Sequence, residues 1–317
     1  MADLRPLIDD DLLGSNRKSE AAVMDRELNS LLSLLDDPDI RVATAVTERL
    51  RSRGNGVLYP LLDFIDLSPD ELARSRAELI VREFNEETLT TEFTKLARRL
   101  DNSERNTLED GVFLIARYGY PRLAVESYRA ELSKLAGMLG DAIAGIHSPL
   151  DILIATNDFF FQRQKFRGNQ SQFHEPDNSF INRVLDRRMG IPISLSVIYL
   201  LIARVRLGLP FSGASAPGHF LIRYDGAGDE PLFVDAFNGG VVLRKRDIKR
   251  FLDSSGLLYN EAFLEPADSR SILLRMIRNL IIVFTQLGDL PAQKAFERFE
   301  EILSPNSTED DVLARGM

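Results

Sequence analysis

His219 and Asp235 are the side chains whose types and spacing most readily suggest chemistry. Two runs rich in aromatic and β-branched residues, His219 to Tyr224 and Leu232 to Phe237, flank the turn-forming stretch Asp225-Gly226-Ala227-Gly228-Asp229, as in a β-hairpin. If that five-residue turn sets Tyr224 opposite Glu230, counting back sets His219 opposite Asp235, on one face with Cβ atoms about 4.5–5.5 Å apart. An imidazole so placed bonds the carboxylate through one ring nitrogen, which fixes its tautomer and raises its basicity. The other nitrogen is left for a substrate or a nucleophile. The plainer reading is that His219 caps a strand and Asp235 opens a turn with Asn238-Gly239-Gly240.

The sequence offers few nucleophiles. Cysteine is absent, which removes disulfides, thiolate metal sites and every cysteine-based acyl transfer. Ser194 falls in the first turn of an apolar helix expected from Ile193 to Leu207, where unpaired backbone N–H groups could stabilise an oxyanion, so a Ser194–His219–Asp235 hydrolase is conceivable. The same position suits a structural helix cap, and Ser196 sits on a strongly apolar surface where a hydroxyl bonds the preceding turn. Only His147, His174 and His219 are present, none in close His-to-His spacing. A site at His174, Glu175 and Asp177 would stand on a loop, so no metal or cofactor is expected. His174-Glu175-Pro176-Asp177-Asn178 reads as a turn and helix cap, or as one wall of the cleft that holds His219. Gly239-Gly240 precedes a strand instead of a helix, which removes the context a phosphate-binding loop needs.

Positioning these residues falls to a largely helical chain. Its 317 residues exceed one small module, and 44% hydrophobic with 27% charged residues is the balance of a globular protein. From Asp25 to Ile65, leucine-rich helices interrupted by Asp36-Asp37-Pro38-Asp39 and Gly54-Asn55-Gly56 resemble one HEAT-type repeat. Ser68-Pro69-Asp70-Glu71 starts a further helix with Ser68 as N-cap. Helices continue over 107–161, broken at Tyr118-Gly119-Tyr120-Pro121. Sheet is expected only at 219–224, 232–237 and 241–243, as an antiparallel meander. After Arg270, two amphipathic helices around Leu287-Gly288-Asp289 resemble a single tetratricopeptide unit, with a frayed acidic end after Ser304. This organisation divides the chain into a helical region 1–106, a core 107–268 and a helical tail 269–317.

Charge narrows the partners. Acidic residues outnumber basic ones 48 to 39, for a formal charge of −9, which disfavours nucleic acid. No apolar run is long enough for a membrane span. The opening residues lack the basic and apolar regions of a secretory leader, which points to the cytoplasm. Two basic clusters, Arg183-Arg187-Arg188 and Arg244-Lys245-Arg246-Lys249-Arg250, read as solvated helix ends or as contacts for a carboxylate-bearing ligand.

A set of runs resembles a known family: Leu108-Glu109-Asp110-Gly111, Ala116-Arg117-Tyr118-Gly119-Tyr120-Pro121, Phe166-Arg167-Gly168-Asn169, Asp177-Asn178-Ser179-Phe180, Arg187-Arg188-Met189-Gly190-Ile191-Pro192-Ile193-Ser194-Leu195-Ser196, Pro217-Gly218-His219-Phe220 and Val234-Asp235-Ala236-Phe237-Asn238-Gly239-Gly240. Together they resemble the SirB-type, transglutaminase-like proteins over roughly Leu108 to Leu303. The resemblance implies an α+β, papain/transglutaminase-like core, a central buried helix with a small antiparallel sheet, flanked by HEAT-like and tetratricopeptide-like helices. It implies acyl transfer by a Cys at the start of the central helix, a His on one strand and an Asp on the next. His219 and Asp235 match the last two, while the Cys position falls at about Pro192 or Ile193, neither a nucleophile. The expectation is therefore a pseudoenzyme or a protein- or peptide-binding module, with Asn178, Pro192, Ile193 and Asn238 around the cleft. The alternative is an acyl-transfer or amide hydrolase that uses His219 and Asp235 with Ser194 or water.

Overall fold

In a computed structural model, residues 26–104, 106–226 and 228–304 are described. The sequence expectations for the opening residues and for the end after Ser304 lie outside them. The chain divides into two compact units between Thr88 and Leu89.

The first unit is helical: α1 (residues 26–33), α2 (Ile40–Ser52), α3 (Leu58–Leu67) and the first part of α4 (Glu71–Asp101). Asp39 caps α2 by accepting from the Arg41 N–H at 2.9 Å. The cap expected at Ser68 is displaced to Asp70, whose carboxylate accepts from Ala73 N at 2.7 Å. Ser68 instead closes α3, its N–H bonding the Phe64 carbonyl at 2.8 Å. Apolar stripes from these helices, among them Leu35, Leu50, Leu61, Ala77 and Phe84, form one core.

The second unit begins within α4 and continues through α5 (Thr107–Gly119), α6 (Val125–Ile143), α7 (Pro149–Asn157), α8 (Ile181–Arg187) and α9 (Pro192–Leu200). Every residue of α9 is buried, as expected of a helix without a polar side. Its backbone then widens to π-helical spacing over Leu201–Arg206. The sheet follows: β3 (Phe211–Ala216), β4 (His219–Tyr224), β5 (Leu232–Asp235), β6 (Val241–Leu243) and β7 (Pro266–Ala267), all antiparallel in the order β6-β5-β4-β3-β7. Separately, β1 (Arg167–Gly168) and β2 (Met189–Gly190) form a short parallel pair. Helix α10 (Lys245–Ser254) follows β6, and α11 (Ser269–Leu287) and α12 (Leu290–Leu303) end the unit. Sequence reasoning missed β3 because Phe-Ser-Gly-Ala-Ser-Ala has low strand propensity; its pairing with β4 supplies what its side chains do not. Strand β5 stops at Asp235, two residues short of expectation, because the Asp235 side chain turns the chain.

Alternation in the strands gives the sheet two different faces. Phe211, Phe220, Ile222, Tyr224 and Val234 join the core of α9, α11 and α12. Ala214, Leu221 and Phe233 pack instead with Ile248 and Leu252 of α10. Among the described residues, no helix is long and apolar enough to cross a membrane.

Several of the sequence runs find their physical reason in this unit. Glu109 is buried and holds the Arg206 guanidinium at 2.8 Å, joining α5 to the end of the central helix. Gly168 and Gly240 are among the positions that require glycine. A Cβ on Gly168 would lie 2.5 Å from the Phe237 carbonyl oxygen, and one on Gly240, at φ +81°, would lie 2.2 Å from the Phe161 ring.

Candidate functional site

The imidazole and the carboxylate meet. His219 Nε2 lies 2.9 Å from Asp235 Oδ2, with the carboxylate buried and the imidazole mostly so. The nitrogen and oxygen are close but not aligned for a linear hydrogen bond. The route differs from expectation. The ladder pairs Tyr224 with Leu232, Arg223 with Phe233 and Ile222 with Val234, so the loop takes in Asp225 to Pro231, two residues more than the turn inferred from sequence. Asp235 is therefore level with Leu221, and His219 reaches it diagonally. A two-residue shift preserves the face, whereas a one-residue slip would have sent one partner to the other side. Diagonal neighbours stand about 7–8 Å apart at the backbone, within reach of a long side chain.

Asp235 is also the hub of the turn that follows it. Oδ1 accepts from the N–H groups of Phe237 and Asn238, both at 3.1 Å, and Oδ2 accepts from Asn238 Nδ2 at 2.7 Å. Burial opposes the negative charge, but the His219 imidazole, the Asn238 side chain and the Asn238 N–H outweigh it and hold the carboxyl below its usual value of 3.8. From deeper in the core, Tyr199 donates to Asn157 Oδ1 at 3.0 Å, and Asn157 Nδ2 donates to the Gly240 carbonyl at 3.0 Å. This relay pins the far end of the turn, and sequence reasoning missed both residues because neither is near Asp235 in the chain.

The lowered carboxyl sets a pH dependence. The unfolded chain binds the Asp235 proton at a higher pH than the folded one, so this group's stabilisation is fully present above about 4 and is lost as pH falls through the lower folded value. The acid limb of a urea-midpoint profile should be shallower in Asp235→Asn than in the wild type below about pH 4. Parallel limbs would show that the carboxyl is not held down by folding.

His219 and Asp235 open into a cleft of about 580 Å³. Pro192, at the first turn of α9, and Asn238 line it, together with Phe173, Phe237, Val241 and Phe251. Two other residues expected at the cleft lie elsewhere. Ile193 is buried in the core of α9. Asn178 is buried beneath the loop, where Nδ2 donates to the Gln172 carbonyl at 2.6 Å and Oδ1 accepts from Asn169 at 3.0 Å. Those bonds carry Phe173 to the rim, so Asn178 shapes the cleft without facing it.

Ser194 is fully buried. Its hydroxyl donates to the Asn178 carbonyl at 2.6 Å and accepts from Ile191 N at 3.1 Å, and Ser196 bonds the Pro192 carbonyl at 2.8 Å. Ser194→Ala should therefore lower stability by about 1–3 kcal/mol, seen as a urea-midpoint shift, because the Ile191 N–H loses its partner. A hydrolytic activity abolished in a stably folded Ser194→Ala variant would instead make this hydroxyl the nucleophile.

The loop with His174 is built on ion pairs. Glu175 accepts from Arg187 at 2.6 Å, and Asp177 from Arg183 at 2.9 Å and from the Tyr120 hydroxyl. Burial and this carboxylate push the Tyr120 phenol up to about 12. No group of three or more His, Asp or Glu residues suited to a metal ion occurs among the described residues.

The sequence runs resembled a transglutaminase-like core, and comparison with known families reaches that superfamily. Residues 126–278 match the transglutaminase-like superfamily. This transglutaminase-like segment runs from α6 into α11 and contains the whole cleft. The chain is 36% identical over 192 residues to a UPF0162 protein of Xylella fastidiosa, covering 58% of this chain and 66% of that one. It is 30% identical over 146 residues to a UPF0162 protein of Pseudomonas aeruginosa, covering 45% and 52%. It is also 34% identical over 137 residues to F-box only protein 21 of Homo sapiens, covering 41% of this chain but 21% of that one. The chain thus spans less than two thirds of each of these relatives. No solved structure matches it.

Proposed function

We propose that the chain is a non-catalytic binding module, a SirB-type protein in which the transglutaminase-like cleft keeps its His and Asp but has lost its nucleophile and takes a protein or peptide. One observation carries this reading: the residue that lines the cleft at the start of α9 is Pro192, while the serine hydroxyls of that helix, on Ser194 and Ser196, are buried and committed to backbone groups. A pyrrolidine ring cannot attack a carbonyl. What remains is a concave, mostly apolar cavity whose polar side chains are His219, Asp235, Asn238 and Asp247, a form suited to ligand recognition. The kinship with an F-box only protein supports a protein as the ligand class. The helices before and after the segment are read as HEAT-like and tetratricopeptide-like, additional surfaces for recognition.

A second reading keeps catalysis, with water as nucleophile, His219 as base and Asp235 orienting it, because Nδ1 of His219 is bonded to no group among the described residues. Turnover of acyl-ester and peptide libraries separates the two. The binding reading expects wild type and His219→Ala to be equally inactive. Hydrolysis by the wild type that is lost in His219→Ala would overturn it in favour of the hydrolase.

A further inference from the structure

We infer that Arg275, on α11, is the positioning residue of the cleft: its guanidinium holds the tip of the β3–β4 hairpin from behind the sheet and thereby sets where the His219 imidazole meets Asp235. The inference rests on the cleft being the functional site, and it holds whether that site binds or hydrolyses. The sheet itself gives the tip little support. Strands β3 and β4 pair with each other out to Ala216 and His219, joined through Pro217 and Gly218. Their outer neighbours stop earlier. Strand β5 pairs with β4 no nearer the tip than Ile222, and β7 pairs with β3 no nearer than Ala214. Residues 215–220 therefore project past both ladders, and His219 stands on the projecting part. Two strands alone hold a fixed shape only marginally, so the place of this tip depends on what packs against it.

Arg275 supplies that packing. Nη1 donates to Ser215 Oγ at 2.8 Å and Nη2 to the His219 carbonyl at 3.1 Å, one bond to each strand of the tip. Its Cζ lies 5.9 Å from the centre of the Phe220 ring. Ser215 and Phe220 are cross-strand partners and share the face that joins the core, whereas the His219 side chain turns to the cleft. The support and the cleft thus lie on opposite faces of the same two strands. A guanidinium offers its donors in a rigid fork, so two bonds set direction as well as distance. The arrangement works against stability. Arg187, Arg206 and Arg270 are half-buried like Arg275, and each meets a carboxylate. Arg275 forms no ion pair among the described residues, and burial, followed by the nearby Arg278 charge, lowers its pKa. A partly desolvated cation bonded to a carbonyl and a hydroxyl in place of a carboxylate breaks the rule its neighbours keep, and such exceptions are expected where they serve a site.

The test needs no ligand, so its outcome is independent of what the cleft binds. It follows the Asp235 carboxyl carbon by NMR titration of the full chain, with the signal assigned through Asp235→Asn. Against burial, which raises it, the His219 imidazole and Asn238 hold that carboxyl below its usual value, so His219→Ala should raise it. Arg275→Met should raise it by most of the same amount, because the imidazole is no longer held in place, and should add nothing in the His219→Ala background. Equal increments in both backgrounds would show that the lost charge acts through space, which overturns the inference. Arg275→Lys keeps the charge without the fork, so Asp235 should titrate between its wild-type and Arg275→Met positions. The lysine variant also decides the matter if Arg275→Met does not fold. Wild-type titration of Asp235 in either folded variant would overturn the inference and leave Arg275 as a tie between α11 and the sheet, whatever the melting temperature. An Asp235 carboxyl unmoved by His219→Ala would overturn it too, since no contact would remain to be set.

Discussion

Pro192→Cys should turn the cleft into a reactive thiol site, alkylated by iodoacetamide at about pH 6 roughly tenfold faster than an unstructured thiol. Pro192 stands at the N-terminus of α9 and lines the same cleft as His219 and Asp235, and the first N–H groups of a helix have no partner within it. A thiolate there would be favoured by the helix N-terminus and by the neighbouring His219 side chain, which can take up the thiol proton and hold the two as an ion pair, so the thiolate fraction at acid pH rises. The lower intrinsic nucleophilicity of a more acidic thiol offsets part of that gain, which limits the expected factor to about ten. The natural chain has no cysteine, so the introduced thiol would be the sole site of labelling. Mass spectrometry of the adduct gives the rate, and adding His219→Ala should remove the imidazole's share of the gain and leave only that of the helix N-terminus. Ile193→Cys should be nearly inert, since Ile193 is 1% exposed and, unlike Pro192, does not line the cleft. If Pro192→Cys reacts no faster than a free thiol, with or without His219, the cleft does not retain an acyl-transfer geometry.

The largest loss of stability is expected from Glu109→Ala. Glu109 is 8% exposed on α5, and its carboxylate meets both Arg206 nitrogens, Oε2 at 2.8 Å from Nη1 and Oε1 at 3.1 Å from Nη2. Arg129 Nε lies 3.4 Å from the same group. Truncation leaves the Arg206 charge largely desolvated, with only the Leu201 carbonyl at 2.9 Å and the Ser133 hydroxyl at 3.4 Å as partners. Breaking such a pair costs about 3–5 kcal/mol, on the order of a 10 °C fall in melting temperature for a unit of this size. Calorimetry would measure it. The double change Glu109→Leu/Arg206→Met should recover most of the loss, because an apolar pair removes the stranded charge. A single variant that melts within about 2 °C of wild type would show that water already solvates the pair.

Much of the site was legible because its signals are local. Aromatic and β-branched runs around a glycine-rich turn marked β4 and β5, and the unbroken apolar stretch after Pro192 marked a helix buried on all sides. The parity of the strands was enough to bring His219 and Asp235 to one face, so an error of two residues in the turn left the pair intact. The seat of Phe173 was not legible, since it depends on Asn169, Asn178 and Ser194 meeting across a loop. Neither was the Tyr199–Asn157–Gly240 relay, whose members are spread over 84 positions from 157 to 240.

Residue identity and period thus determined, without coordinates, that the chain has no thiol and that the stretch after Pro192 is a helix with no polar side, and they offered an imidazole and a carboxylate on one sheet face as one of two readings. Tertiary structure alone decided that Pro192 looks into the cleft while Ile193 and Ser194 look away, and that α10 brings a basic helix over an apolar cavity. The physical reason is range: alternation and helical period act between near neighbours. Which of two adjacent residues faces a cavity depends on the packing of segments that the chain joins only through long loops.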